Sequence, residues 1–164
     1  MKLHLKTLCM FYPQYIFTFG AIFFIDFVTK IVAKNYLSEY NSIEIIPHLF
    51  NLKLAFNTGV AFSVPVPYFL QIIVGVLLLA GIIYWAQQYF EEVSLYEKLG
   101  ITLLLAGASA NLWERIISHH VTDFLYFFYT SKIFSISFPI FNIADIAIFC
   151  GVILWWWGSV KEKK

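Results

Sequence analysis

The chain has 164 residues, of which 60% are hydrophobic and only 13% are charged, and its net charge is +1. A soluble domain carries about 25% charged residues, so this composition excludes an ordinary water-soluble fold and makes lipid the expected solvent. Because no long basic run occurs, nucleic acid is excluded as a partner.

Four apolar stretches are long enough to cross a membrane as helices, which takes roughly 20 mostly apolar residues. They predict an all-α membrane protein with four transmembrane helices at about 13–33, 66–86, 99–117 and 136–158. Because no repeat or linker divides the chain, we expect residues 1–164 to form a single domain that acts as a monomer.

The first span follows Lys2 and Lys6 and carries Asp26 and Lys30 inside its apolar run. No small-residue cleavage site closes this run, which favours an uncleaved span over a signal peptide. The i, i+4 spacing places the acid and the lysine on one side of a helix. An internal ion pair that supports the bundle is favoured, and a proton relay is the alternative.

The segment between the first and second spans is rich in β-forming residues, at 43–46 and 49–56. Their partial alternation predicts a short strand pair at the membrane surface, which would form a small β-rich extracytoplasmic segment. Asn57 and Gly59 follow with turn chemistry, and they either form the turn alone or also contact a substrate.

The third span has small residues throughout 106–110, which allow helices to approach closely and predict a central place in the bundle. Asn111, Glu114 and Arg115 close this span. A structural role at the interface, with Arg115 snorkelling, is favoured, and the alternative is that the acid and the arginine position a loop or neutralise each other.

The second large loop contains seven aromatic residues between Phe124 and Phe138, which suits an interfacial segment. Trp155, Trp156 and Trp157 suit the opposite interface. The lysines of the short terminal tails favour cytoplasmic termini, so both large loops are expected to face outward.

Asp123 and Asp145 lie beside apolar sequence, after the third span and near the start of the fourth. Four spans would bring both to the same membrane face, where a protonated carboxyl and a carboxylate could activate a water and protonate a leaving amide. The alternative is that Asp123 is a solvated acid in a loop. Asp145 would then be an acid that the helix dipole favours near a helix N-terminus, with Asn142 as the helix cap. Position alone leaves both interpretations open.

The sequence gives little support for a metal site or a cofactor site, and we expect the protein to have neither a metal nor a cofactor. His119 and His120 are adjacent and would point in different directions on a helix, and no HExxH or GxSxG motif occurs. Cys9 and Cys150 are far apart, lie in apolar sequence and have no CxxC spacing, which favours two buried free thiols over a disulfide.

Five sequence blocks resemble, in the same order, those of the lipoprotein signal peptidase family. They are D-x-x-T-K at 26–30, N-x-G-x-A-F at 57–62, the small-residue segment ending in Asn-Leu-Trp-Glu-Arg at 107–115, Val-Thr-Asp-Phe at 121–124, and F-N-x-A-D at 141–145. Each block is weak by itself, but five in order over most of the chain are specific.

The resemblance implies an aspartic protease of the bacterial inner membrane, with its active site near the periplasmic face. Such enzymes cleave the signal peptide of a prolipoprotein before a cysteine that already carries diacylglycerol, so the expected partners are diacylglyceryl-prolipoproteins and membrane lipid. Asp123 and Asp145 correspond to the catalytic pair. The positions that line or support the site correspond to Asn57, Gly59, Asn111, Arg115 and Asn142, and the structural polar positions to Asp26, Lys30 and Glu114.

Three residues depart from the family pattern. Ala110 replaces a glycine, Ala106 stands where a second glycine is common, and Glu114 replaces an aspartate. Because the blocks around both catalytic positions are intact, we expect activity, with altered geometry near Asn111. A small proton-coupled carrier that uses Asp26, or a structural membrane subunit, is the alternative function.

Overall fold

Four helices and four strands make up the part of the chain that the computed structural model describes, residues 12–59, 66–130 and 134–161. The helices are α1 (Pro13–Tyr36), α2 (Tyr68–Tyr89), α3 (Leu95–Ser118) and α4 (Ile143–Lys161). The strands are β1 (Ile43–Ile46), β2 (Phe50–Asn57), β3 (Val121–Thr130) and β4 (Ser135–Ser137). The predictions that concern Lys2, Lys6, Cys9 and residues 60–62 lie outside the described residues.

Among the described helices, α1, α2 and α4 are long and apolar enough to cross a membrane. Much of their surface is exposed Phe, Leu, Ile and Trp, as expected for helices solvated by lipid. All four predicted helices are confirmed as helices, and the protein is a membrane protein. The small and polar residues of α3 reduce its hydropathy, so α3 is not among these three.

The predicted start of the fourth span at 136 is wrong, because α4 begins at Ile143. Residues 135–137 instead pair with β3 as strand β4. Pro139 contributes to this late start, because a proline disfavours helical geometry in the residue before it.

The closest helix pair is α3 with α4, which run antiparallel with their backbones almost in contact. A Cβ atom added to Gly151 would lie 2.7 Å from the Gly100 carbonyl oxygen and 2.8 Å from the Leu104 nitrogen, and Gly107 lies directly against the carbonyl of Ala144. In both helices these small residues recur every seven positions, which keeps them on one side of a slightly supercoiled pair. The predicted central place of α3 is confirmed, since it contacts α1, α2 and α4.

The strands form one antiparallel sheet in the order β1-β2-β3-β4. The predicted strand pair is confirmed as β1 and β2. The aromatic second loop adds β3 and β4 to the same sheet. The prediction of an all-α fold is therefore incomplete. The β-branched and aromatic residues of 121–130 favour such pairing. In the register of β2 with β3, Ala55 lies opposite Asp123 and Asn57 opposite Val121. The sheet therefore brings the Asn57 turn beside Asp123.

Gly151→Ala should destabilise the protein by about 1–3 kcal/mol, because the added methyl group would force the α3 and α4 backbones apart. Thermal unfolding in detergent, followed by tryptophan fluorescence, measures this effect. Gly81→Ala is the matched control, since no atom of the described residues lies within 4 Å of a Cβ at that position. Equal unfolding temperatures for the two variants would contradict the packing argument.

Candidate active site

Asp123 and Asp145 are brought together where β3 reaches the N-terminus of α4. The backbone N–H groups of Phe124 and Leu125 donate to the carbonyl of Phe141 at 3.0 and 2.8 Å, which ties β3 to the residues just before α4. Asp123 is only 3% exposed. The interpretation of Asp123 as a solvated loop acid is therefore wrong.

Asn142 is fully buried and bridges the two acids. Its Nδ2 donates to Oδ1 of Asp123 at 2.7 Å. Its Oδ1 accepts the backbone N–H of Asp145 at 2.9 Å, and its own backbone N–H donates to Oδ2 of Asp145 at 3.1 Å. This reciprocal pair is a capping box that begins α4. Asn142 therefore caps α4, as predicted, and its side chain contacts both acids at the same time.

Asn111, on α3, reaches the pair from the opposite side. Its Nδ2 donates to Oδ1 of Asp145 at 2.8 Å, while its Oδ1 accepts from Lys30 Nζ at 2.8 Å. An ammonium and a backbone N–H can only donate, so Lys30 sets the orientation of the Asn111 amide, and the Asp145 N–H sets that of Asn142. Each amide must therefore present its NH₂ group to a carboxylate.

A buried cluster of charges lies beneath these amides. The predicted Asp26–Lys30 ion pair is confirmed, with Oδ2 and Nζ 2.7 Å apart. Glu114 Oε2 lies 3.1 Å from Lys30 Nζ, and Glu114 Oε1 lies 3.4 Å from Lys34 Nζ. The other oxygen of Asp26 accepts the backbone N–H of Ala144 at 2.8 Å, which satisfies an orphan donor in the first turn of α4.

Thr122 and Gln71 are buried polar residues near the site that the sequence patterns did not predict. Thr122 donates to Glu114 from its hydroxyl at 2.6 Å and from its backbone N–H at 3.0 Å. Gln71, on α2, donates from Nε2 to the carbonyls of Thr58 at 2.8 Å and Val66 at 2.6 Å. Gln71 could have been found as a lone amide in an apolar span. Thr122 carries no comparable signal, because its partner Glu114 lies on α3 and the two meet only when β3 folds back at the end of that helix.

The turn after β2 connects to both acids. Asn57 Oδ1 accepts the Gly59 N–H at 3.0 Å, as in an Asx-turn, and the Asn57 side chain also hydrogen-bonds to Asp123. Arg115 Nη2 donates to the Gly59 carbonyl at 2.8 Å, and its guanidinium lies close enough to both aspartates to interact with their charges. Its Nε is buried and has no hydrogen-bond partner among the described residues.

Burial, together with the negative charge of Asp145, raises the pKa of Asp123 from 3.8 to about 7. Hydrogen bonds from Asn142 and Asn57 and the charge of Lys30 act in the opposite direction but are outweighed. Asp123 can therefore hold a proton near neutral pH beside a second carboxyl group. This is the protonation pattern that general acid–base chemistry by a carboxyl pair requires.

Within residues 12–59, 66–130 and 134–161, no group of three or more His, Cys, Asp or Glu side chains could hold a metal ion. His119 and His120 contact aromatic rings instead, those of Tyr68 and Phe56, with centroids 4.6 Å apart in each case. Cys150 is a free thiol on α4, as predicted, but it is exposed, so its predicted burial is wrong. At the positions that depart from the resembled pattern, Ala106 and Ala110 are buried.

A family model described as Signal peptidase (SPase) II, peptidase A8, matches residues 18–161. The chain belongs to the signal peptidase II family. The resemblance in five motifs is thereby confirmed, and the chain is an aspartic peptidase of this family. This membership sets aside the carrier and structural-subunit alternatives.

Two relatives of this signal peptidase II are named lipoprotein signal peptidases. The one from Clostridium novyi is 34% identical over 140 residues, covering 85% of this chain and 90% of the relative. The one from Pseudomonas aeruginosa is 30% identical over 148 residues, covering 87% and 85%. A bacterial membrane enzyme solved by the in meso method at 2.3 Å resolution matches with a TM-score of 0.79 and 29% identity, over 94% of this chain and 92% of that one.

The stability of this signal peptidase II should fall as the pH rises from about 4 to about 7. Because the pKa of Asp123 is higher in the folded than in the unfolded protein, the folded state binds more protons in this range and loses that advantage as Asp123 ionises. Asp123→Asn should reduce the fall, as measured by thermal unfolding at each pH. Glu39→Gln, at an exposed acid, should leave it unchanged. An identical fall in Asp123→Asn and the unmodified protein would contradict the assignment.

Proposed function

We propose that this signal peptidase II removes the signal peptide of diacylglyceryl-modified prolipoproteins by cleaving before the lipidated cysteine, with Asp123 and Asp145 as the catalytic pair. The names of its relatives support the substrate class. The observation that carries the catalytic assignment is the buried pair of acids joined through Asn142 at the start of α4.

In the proposed reaction, the carboxylate of Asp145 takes a proton from a water molecule whose oxygen attacks the scissile carbonyl carbon. The hydrogen bonds that Asp145 accepts from Asn111 and Asn142 favour its ionised form and fix its orientation. Asp123 begins protonated and gives its proton to the leaving amide nitrogen as the tetrahedral intermediate collapses. The two acids thus divide the roles of base and acid.

The amides and the guanidinium around the pair would line or support the site. The residues with this proposed role are Asn57, Gly59, Asn111, Arg115 and Asn142. Arg115 connects the turn to the pair, because its Nη2 donates to the Gly59 carbonyl at 2.8 Å and its guanidinium lies near both aspartates. Asp26, Lys30 and Glu114 would support this arrangement from below.

The proposed topology has α3 as a fourth span, both termini in the cytoplasm and the active site near the periplasmic face of the inner membrane. The 24 residues of α3 extend about 36 Å, enough to span the hydrocarbon core. Lys98 and Lys161 lie at the ends of α3 and α4 far from the sheet, as the positive-inside rule requires of a cytoplasmic face. The sheet and the acid pair lie at the other end, within reach of a substrate anchored in the outer leaflet.

Asp123→Asn and Asp145→Asn should each reduce cleavage by roughly 10²- to 10⁴-fold, because each removes one acid–base role. The assay follows processing of a diacylglyceryl-prolipoprotein in proteoliposomes, with thermal unfolding as the check on folding. Glu39→Gln should cleave normally, and a precursor without diacylglycerol should resist cleavage. Normal processing by either aspartate variant would refute the catalytic assignment.

The cleavage rate should decline as the pH rises above about 7, where Asp123 loses the proton it donates. The dependence of kcat/KM on pH between 5 and 9 measures this, and the apparent pKa values belong to the pair as a unit. A rate that increases throughout this range would be incompatible with Asp123 as the acid.

A further inference from the structure

The ammonium of Lys30 lies at the centre of the polar cluster and its side chain is 4% exposed. It contacts Asp26 Oδ2 at 2.7 Å, Asn111 Oδ1 at 2.8 Å and Glu114 Oε2 at 3.1 Å. A lysine ammonium has three N–H donors, so these three contacts use its full capacity. An ion pair with Asp26 alone would not require this arrangement.

Two of the three partners lead to Asp145. Asn111 accepts from Lys30 with its oxygen and donates from Nδ2 to Asp145 Oδ1 at 2.8 Å. Asp26 binds Lys30 with one oxygen and the Ala144 N–H with the other, at 2.8 Å, directly beside Asp145 in sequence. The side chain of Asp145 and the backbone that carries it are therefore both connected to the same ammonium.

The third partner leads to Asp123. Glu114 accepts both the hydroxyl and the backbone N–H of Thr122, at 2.6 and 3.0 Å, and Thr122 is fully buried immediately before Asp123. The Glu114 carboxylate therefore holds both the side chain and the backbone of Thr122, because it accepts one hydrogen bond from each. The position of β3 at Asp123 is thereby linked to Lys30 through Glu114.

We propose that Lys30 is a positioning residue that sets the relative placement of the two aspartates through these three short connections. The inference rests on the proposed function of Asp123 and Asp145. Without the ammonium, the Asn111 oxygen would keep only the longer hydrogen bond from Asn142 Nδ2, at 3.2 Å, and Glu114 would keep only the more distant of its two lysine partners, Lys34 at 3.4 Å. Both acids would then depart from the geometry in which they share the reaction.

Lys30→Met should lower kcat by about 100-fold and leave KM within about threefold, since a misplacement of about 1 Å is enough for such a loss. The measurement is processing of a diacylglyceryl-prolipoprotein in proteoliposomes. Lys34→Met is the matched control. Lys34 lies one turn further along α1 and also pairs with Glu114, but none of its contacts among the described residues reaches Asn111, and its side chain is 38% exposed. This control should keep kcat within about threefold.

A second pair of variants tests the connection to Asp123 without removing a buried charge. Thr122→Val keeps the shape of the side chain but removes the hydroxyl, and should lower kcat about tenfold with KM unchanged. Thr122→Ser restores the hydroxyl and should recover most of the rate. Thr102→Val, which removes a hydroxyl bonded to the Lys98 carbonyl near the other end of α3, should have no effect.

The outcomes separate this inference from the proposed function. If Asp123→Asn and Asp145→Asn abolish cleavage but folded Lys30→Met retains normal kcat, the positioning role is overturned and the catalytic pair stands. Where Lys30→Met does not fold, the threonine variants decide: a normal kcat in Thr122→Val, or a loss that Thr122→Ser shares, overturns the inference. Normal cleavage by either aspartate variant would instead refute the proposed function.

Discussion

The buried ammonium of Lys30 is the contact on which the polar interior of this protein depends. A charge among apolar helices is costly unless it is paired and hydrogen-bonded, and Lys30 meets this condition with acceptors from Asp26, Asn111 and Glu114. These acceptors lie on α1 and α3, and Asp26 extends the connection to α4 through the Ala144 N–H. One cation thus links three helices. Because Lys30 donates to the oxygen of the Asn111 amide, the NH₂ group of that amide faces Asp145.

Close backbone packing makes these short polar contacts geometrically possible. The small residues along α3 and α4 let the two helices approach until Gly107 touches the Ala144 carbonyl, directly beside Asp145. The side chain of Asn111, one turn further along α3, can then span the remaining gap to the carboxylate. The antiparallel sheet supplies the other half of the site, since its register carries Asp123 on β3 to the start of α4.

The two acids occupy different environments, and this difference suits a division of chemical roles. Asp145 lies in the first turn of α4, where the capping box and the helix dipole favour a negative charge. Asp123 is buried on a strand beside that negative charge, and its burial, with the added effect of the charge, raises its pKa to about 7. A carboxyl pair with unequal environments is the usual physical basis for one acid and one base at neutral pH.

The sequence by itself determined the features that depend on local order. Apolar length predicted the four helices, the i, i+4 spacing predicted the Asp26–Lys30 pair, β-forming residues predicted β1 with β2, and five ordered motifs identified the family. The tertiary structure decided the late start of α4 at Ile143, the pairing of β3 and β4 with the rest of the sheet, and the contacts of Thr122 and Gln71. It also decided that Asn142 touches both acids. These features depend on hydrogen bonds between segments that become neighbours only when the helices and the sheet pack together, and residue periodicity along the chain carries no record of such pairings.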